Sequence, residues 1–318
     1  MKVLVLGYSV TAEGPGYVEI AADSLPPGSG IELVKIGLAG VQPHHARHLF
    51  PSILRDTQPD AVVLDQSTPA YRMLLQDREE YFRTLDFLLR LCLDRGLKFG
   101  FLDLPRTDFE FRGDWVSDYH QAIAVRAQVP RVFVERRPEM LRDEVHPTDA
   151  GRRIFADALL SLLPDLAPLR LDPASLRPTP GYDALFATDF TPPHLPRLSL
   201  VRGGYRQDMV YIAQGRALTL DLQTPRVIRG FAALMGPRVG LFEIGINGTT
   251  FTHQMYNQFC YYQRLGAVLF GNINANQRYT TRWITFKQLP DLPDIALRKG
   301  EPDLGTRLGA LGCLFVES

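Results

Sequence analysis

Cysteine is scarce in this sequence. The three present, Cys92, Cys260 and Cys313, are odd in number and show no CxxC spacing. They read as buried thiols of a cytoplasmic protein and exclude a disulfide framework or a thiolate zinc site. Long hydrophobic runs are also missing. No stretch is apolar enough to span a bilayer. The run 2–6 is too short for a signal-peptide core and ends abruptly at Gly7 and Ser9. Net charge is absent: Lys plus Arg equals Asp plus Glu, 35 each. A partner held by bulk electrostatics, such as nucleic acid or an anionic membrane, is therefore not expected. No solenoid repeat and no low-complexity tract is visible.

What remains is an ordinary globular composition. Hydrophobic residues make up 45% and charged residues 22% of 318 residues, enough for two domains rather than a disordered chain. The first half alternates strand and helix signals. Strands are predicted at 2–6, 31–36, 61–64, 98–102 and 131–135. Helices are predicted at 81–94, 114–128 and 148–163, the first from apolar residues at helical spacing and a plausible C-cap at Arg95-Gly96. Alternation of this kind predicts a parallel sheet covered on both faces. Ligands then bind beyond the carboxyl ends of the strands.

Eight prolines fall between 164 and 196, where regular structure cannot run far. After them come short runs rich in Val, Ile, Tyr, Phe and Thr, at 209–212, 217–222, 241–246 and 282–286, with a turn signal at Asn247-Gly248. This part reads as an antiparallel sandwich or jelly roll. The division expected is 1–165 for the α/β domain, 166–196 for a proline-rich connecting strap, and 197–318 for the β domain, with carbohydrate binding as one role for the last.

Two loops carry chemistry. Gly7-Tyr8-Ser9-Val10-Thr11 follows the first strand directly. A serine there is exposed at the carboxyl edge and becomes a nucleophile if a base stands beside it; alone, it reads equally well as a cap for the next helix. Asp143-Glu144-Val145-His146-Pro147 precedes the last helix of the first half. An aspartate three residues before a histidine, in a loop, can hold one imidazole nitrogen and leave the other for a nucleophile.

Together, a Gly-x-Ser after the first strand and an Asp-x-x-His-Pro before the last helix resemble the SGNH/GDSL hydrolase family, over roughly 1–164. Residues 143–151 (DEVHPTDAG) match the family's last block closely, and Tyr8 stands where the family has aspartate. The resemblance implies a flavodoxin-like three-layer α/β fold with Ser9, Asp143 and His146 as catalytic triad. It also implies an oxyanion hole from the backbone of Ser9 and of Gly40, with Gly37 the competing glycine. The family's third block, Gly-x-Asn-Asp, is absent. The chain reads Asp65-Gln66-Ser67-Thr68 there, so Gln66, Ser67 or Thr68 could supply the remaining donor, with Gln66 the expected one.

Asp65, Ser67, Arg106 and Trp115 are candidate substrate contacts. The last two belong to a segment, 105–119, that also holds Phe109, Phe111, Arg112 and Tyr119; the alternative is that its aromatics seal the core. Tyr256, Tyr261, Tyr262 and Trp283 are read mostly as core. His44, His45 and His48 are read as solvated or rim histidines, because no third metal ligand accompanies them. No metal and no cofactor is expected. A nucleotide-binding reading fails because Gly14 and Gly16 come too late after Gly7 for a dinucleotide fingerprint.

The expected function is hydrolysis of a carboxylic ester through an acyl-enzyme, with O-acetyl groups of a saccharide or glycoconjugate as substrate. Acyl transfer on the same scaffold and a decayed glycan-binding module are the alternatives. The expected location is cytoplasmic. A homo-oligomer is compatible with the sequence, since an exposed edge strand in the β domain would allow one.

Overall fold

The structure, a computed structural model, describes residues 1–69, 78–107, 115–270 and 277–318. The chain divides into two compact units, Met1–Thr179 with Arg202–Tyr205, and Pro180–Val201 with Arg206–Ser318. The proline-rich stretch straddles this division.

In the first unit, β1 (Lys2–Gly7), β2 (Glu32–Gly37), β3 (Ala61–Leu64), β4 (Lys98–Asp103) and β5 (Arg131–Phe133) form a parallel sheet in the order β2-β1-β3-β4-β5. This is the flavodoxin-like order, whose switch point lies between β1 and β3. Near-continuous apolar runs explain the burial of the central strands, for a strand covered on both faces needs no polar side. Two residues from the start of the proline-rich stretch, β6 (Ala167–Pro168), pair antiparallel with the beginning of β4.

Six helices are described in this unit: α1 (Tyr17–Ser24), α2 (Pro43–Ala46), α3 (Phe50–Thr57), α4 (Arg78–Asp94), α5 (Trp115–Ala127) and α6 (Asp149–Leu162). The three long ones match the periodicity in the sequence. The short α1, α2 and α3 are not visible in the sequence pattern, since each has eight residues or fewer and offers little period to read. On one face of the sheet, Val3, Val5, Ala61, Val63 and Leu102 pack with Tyr17, Val18 and Ala21 of α1 and Phe155, Ala156 and Leu159 of α6. Tyr17 and Phe155 meet edge to face, with ring centroids 6.2 Å apart. On the other face, Phe101 stacks on His120 of α5 at 4.7 Å.

That second face holds a buried polar network. His120 Nδ1 is 2.7 Å from Asp103 Oδ1, and its Nε2 is 2.6 Å from the Tyr81 hydroxyl. Arg131 Nε donates to Asp103 Oδ2 at 2.6 Å. Burial pushes the Asp103 carboxyl up, but the His120 ring and the Arg131 guanidinium outweigh it and hold the pKa below the ordinary value. Nothing in the sequence spacing linked these four residues.

The second unit is antiparallel. Its strands are β7 (Tyr182–Phe186), β8 (Arg197–Arg202), β9 (Tyr205–Ala213), β10 (Ala217–Met235), β11 (Leu241–Ile246), β12 (Thr249–Gln254), β13 (Arg264–Leu269), β14 (Tyr279–Gln288) and β15 (Leu308–Glu317). They form one hydrogen-bonded sheet in the order β12-β11-β14-β10-β15-β9-β8, with β13 beside β10 and β7 beside β15. The 19-residue β10 pairs with β14 along its first part and with β15 and β13 along its second. Asn247-Gly248, both at positive φ, turn β11 into β12 as the sequence signal requires. Tyr256 is buried, whereas Trp283 is half exposed with Arg282 over its ring. All three cysteines are free and buried, and burial raises the Cys92 thiol to about 12. No helix among the described residues is long and apolar enough to cross a membrane.

Asp103→Asn is expected to cost about 3 kcal/mol of stability, because Arg131 loses its buried counter-charge and the hydrogen bonding of His120 is disturbed. Since the folded pKa of Asp103 lies below the unfolded value, its contribution is present above pH about 4. It fades as pH falls through the folded pKa. Urea unfolding at pH 7 and pH 3 checks this: the gap between wild type and variant should narrow at the lower pH.

Candidate active site

The site is assembled at the carboxyl ends of β1 and β3, on either side of the sheet's switch point. Residues 8–12 leave β1 as a single helical turn, closed by the Ala12 amide donating to the Tyr8 carbonyl at 2.8 Å. Ser9 opens that turn and is half-buried. The turn lies hard against the sheet because Gly7 has no side chain: a Cβ there would stand 2.0 Å from Thr11 Oγ1. Thr11 in turn donates to Asp65 Oδ2 at 2.8 Å and lies 3.0 Å from the Tyr17 hydroxyl. Burial, and then the Asp65 charge, raise the Tyr17 phenol well above its usual range, so it stays a donor.

The second loop is self-contained. Leu141 and Pro147 form a bridge, and the Arg142 amide donates to the His146 carbonyl at 2.9 Å. Inside this closure Asp143 Oδ2 lies 2.9 Å from His146 Nδ1, and Asp143 Oδ1 accepts the amides of Val145 (3.0 Å) and His146 (2.8 Å). Partial burial pushes the Asp143 carboxyl up. Those amides and the imidazole pull it down further, leaving it below the ordinary carboxylate range. Thr148 caps the following helix by accepting from the Gly151 amide at 3.1 Å.

The structure therefore joins Asp143 to His146 and puts Ser9 at the head of the turn before α1, while α1 packs on α6 behind the histidine loop. No hydrogen bond links Ser9 Oγ to His146 among the described residues. In unliganded sites such bonds are often long and tighten on substrate. Neither the Ser9 amide nor the Gly40 amide donates a hydrogen bond among the described residues, and Gly40 sits in a turn at φ +82°. Gly37, by contrast, gives its amide to the Gly203 carbonyl at 2.7 Å.

Gln66 is buried beside Tyr8, with Nε2 3.2 Å from the Tyr8 hydroxyl and Oε1 lacking a hydrogen-bond partner. Turning the amide over would let Tyr8 donate to Oε1 and leave Nε2 as the unengaged donor; side-chain amide orientation follows the hydrogen-bond network.

All four candidate substrate contacts make contacts within this unit. Asp65 is fully buried and holds the nucleophile turn through Thr11. Ser67 is fully buried and bridges the ends of β3 and β4, accepting from the Leu104 amide at 2.8 Å and lying 3.1 Å from the Leu104 carbonyl. Arg106 is also buried, and its guanidinium donates to the Thr68 carbonyl. Trp115 packs edge to face on Tyr81 and Phe82 at 5.3 and 5.5 Å, within an aromatic cluster of α4 and α5. Phe109, Phe111 and Arg112 lie outside the described residues.

Two of the three histidines after Gly40 are not solvated, a correction to the sequence reading: His44 and His48 are buried, while His45 is half-buried. Burial, and then the Arg47 charge, lower the His45 imidazole to about 3. Arg47 is itself buried and paired with Glu80 at 2.6 Å. The described residues contain no group of three His, Cys, Asp or Glu able to hold a metal ion.

Sequence reasoning missed Thr11 as the anchor of the nucleophile turn. Its place two residues after Ser9 was visible, but its partner is 54 residues away.

The first unit has the flavodoxin-like α/β fold, and a β unit accompanies it. No family model matches the chain, and no curated protein matches it. Among solved structures, it is similar to a two-domain esterase active on acetylated mannans, which aligns over 100% of this chain and 91% of its own at TM-score 0.65 and 13% identity. A structure of a two-domain esterase of this kind co-crystallised with mannopentaose aligns over 100% and 90% at TM-score 0.62, again at 13% identity. The likeness extends through both units.

Replacing Thr11 by Val is expected to destabilise the protein by about 1–3 kcal/mol, since the buried Asp65 carboxyl loses a side-chain donor. Chemical unfolding measures this. Thr11→Ser, which keeps the hydroxyl, should recover most of the loss.

Proposed function

We propose that the chain is a serine esterase, with Ser9 as nucleophile, His146 as general base and Asp143 orienting the imidazole. The observation that carries the reading is the Asp143–His146 pair, a carboxylate locked on Nδ1 with Nε2 left for a proton. In the reaction, Ser9 Oγ attacks the ester carbonyl while His146 takes its proton. Asp143 keeps the tautomer and stabilises the imidazolium. The Ser9 and Gly40 amides, and Gln66 through its side-chain amide, stabilise the oxyanion. His146 then protonates the leaving alcohol, and water, activated by the same histidine, releases the acid.

The substrate proposed is an O-acetylated saccharide. The likeness to an esterase active on acetylated mannans supports this choice, as does the extension of that likeness to the β unit.

Hydrolysis of p-nitrophenyl acetate and of an acetylated sugar by wild type, Ser9→Ala and His146→Ala tests the assignment. Turnover should disappear in both variants with the circular dichroism spectrum unchanged. Wild-type protein without ester turnover, or turnover indifferent to Ser9→Ala, would remove the reading. Gln66→Leu should lower kcat by about 10²–10³, the usual cost of one oxyanion donor. A wild-type kcat in that variant would take Gln66 out of the oxyanion hole.

A further inference from the structure

Glu13 stands where the nucleophile turn meets the histidine loop. Its amide points back to the Val10 carbonyl at 3.4 Å, and its carbonyl accepts from Lys35 Nζ at 2.8 Å, so its backbone belongs to the Ser9 turn. Its carboxylate faces the other way. It pairs with both terminal nitrogens of Arg142, Nη1 lying 3.5 Å from Oε2, and sits 3.7 Å from Arg152 Nε at the start of α6.

Arg142 directly precedes Asp143. While its amide holds the His146 carbonyl, its Nη1 donates to the Pro147 carbonyl at 2.7 Å. One guanidinium therefore touches the residue after the base and, at the same time, the turn that holds the nucleophile. This arrangement has little to offer folding: the Arg142 side chain is 45% exposed, and ion pairs of that kind add little stability. Its geometric effect is larger. A serine and a histidine 137 residues apart must meet within a fraction of an ångström, and a misplacement of about 1 Å can cost about 10²-fold in rate.

We infer that Glu13 and Arg142 are positioning residues that set the His146 loop against the Ser9 turn, with Arg152 as a secondary support. The planar fork of arginine suits this role, since it reaches the Glu13 carboxylate and the Pro147 carbonyl together; a lysine offers a single point of attachment. The inference rests on the reading of Ser9 and His146 as nucleophile and base.

The test compares Glu13→Gln, Arg142→Gln, the double variant and Arg142→Lys with wild type, by steady-state turnover of p-nitrophenyl acetate and by amide hydrogen exchange. Each single Gln variant should lose about tenfold in kcat with KM nearly unchanged, because the lost interaction orients the catalytic groups rather than binding the ester. The double variant should fall no further than either single, since both remove the same link. Arg142→Lys should lie between wild type and Arg142→Gln. Independently of activity, amides of 142–146 should exchange faster in the Gln variants, while those of β1 and β3 keep their wild-type rates. Losses that multiply in the double variant would overturn the inference, and so would loop exchange unchanged in both single variants. Wild-type protein without Ser9-dependent turnover would overturn the functional reading, while the exchange data would still decide whether the link orders the loop.

Discussion

A carboxylate taken out of water has to be met by donors, and at the end of β3 that requirement organises the working edge of the first unit. Asp65 is fully buried, and the Thr11 hydroxyl reaches it across the mouth of the sheet. Thr11 belongs to the turn that begins with Ser9, so the need to satisfy one buried charge fixes where the candidate nucleophile stands. Gly7 permits it by leaving room for the Thr11 side chain, and Tyr17 supports it from α1. The chain departs from its family resemblance at β3, where Gly-x-Asn is missing. The position is occupied instead by residues that secure the scaffold, Asp65 and Ser67, together with one whose buried amide remains incompletely bonded, Gln66.

Much of the first unit's polar chemistry is internal in this way. His120 sits between Asp103 and Tyr81, Arg47 is held on Glu80, and the histidines of α2 are kept neutral by burial. Histidine and arginine near a cleft invite a catalytic interpretation, and here most of them serve the packing of helices on the sheet. The pair that differs is Asp143 with His146. It lies in a loop closed by its own backbone, open enough to meet solvent.

The sequence made the sheet and the long helices legible because their signals are local. Uninterrupted apolar runs mark β1 and β3, and the spacing of Leu85, Leu88, Leu89 and Cys92 marks α4. The Asp143–His146 pair was legible for the same reason, since three residues of loop suffice to bring carboxylate and imidazole together. Contacts between distant segments were not. The spacing around Ser67 allows an oxyanion donor, a substrate contact and a strand bridge alike, and only its place beside Leu104 distinguishes them. The same holds for His44 and His48, which look solvent-facing in the sequence but are buried in the fold. The β unit was readable as short strands, but the length of β10 was hidden by the polar run from Gln223 to Arg226 in its middle.

That length has a consequence for how the second unit yields. A single strand of 19 residues carries the ladder to β14 on its first part and those to β15 and β13 on its second, so the two groups of strands share one backbone. A sandwich of two independent sheets can lose one leaf and keep the other. Here one strand is common to both groups, so disorder in either removes ladder partners from it. Opening short of global unfolding is expected first at the strands with a single ladder partner, β12, β8, β13 and β7.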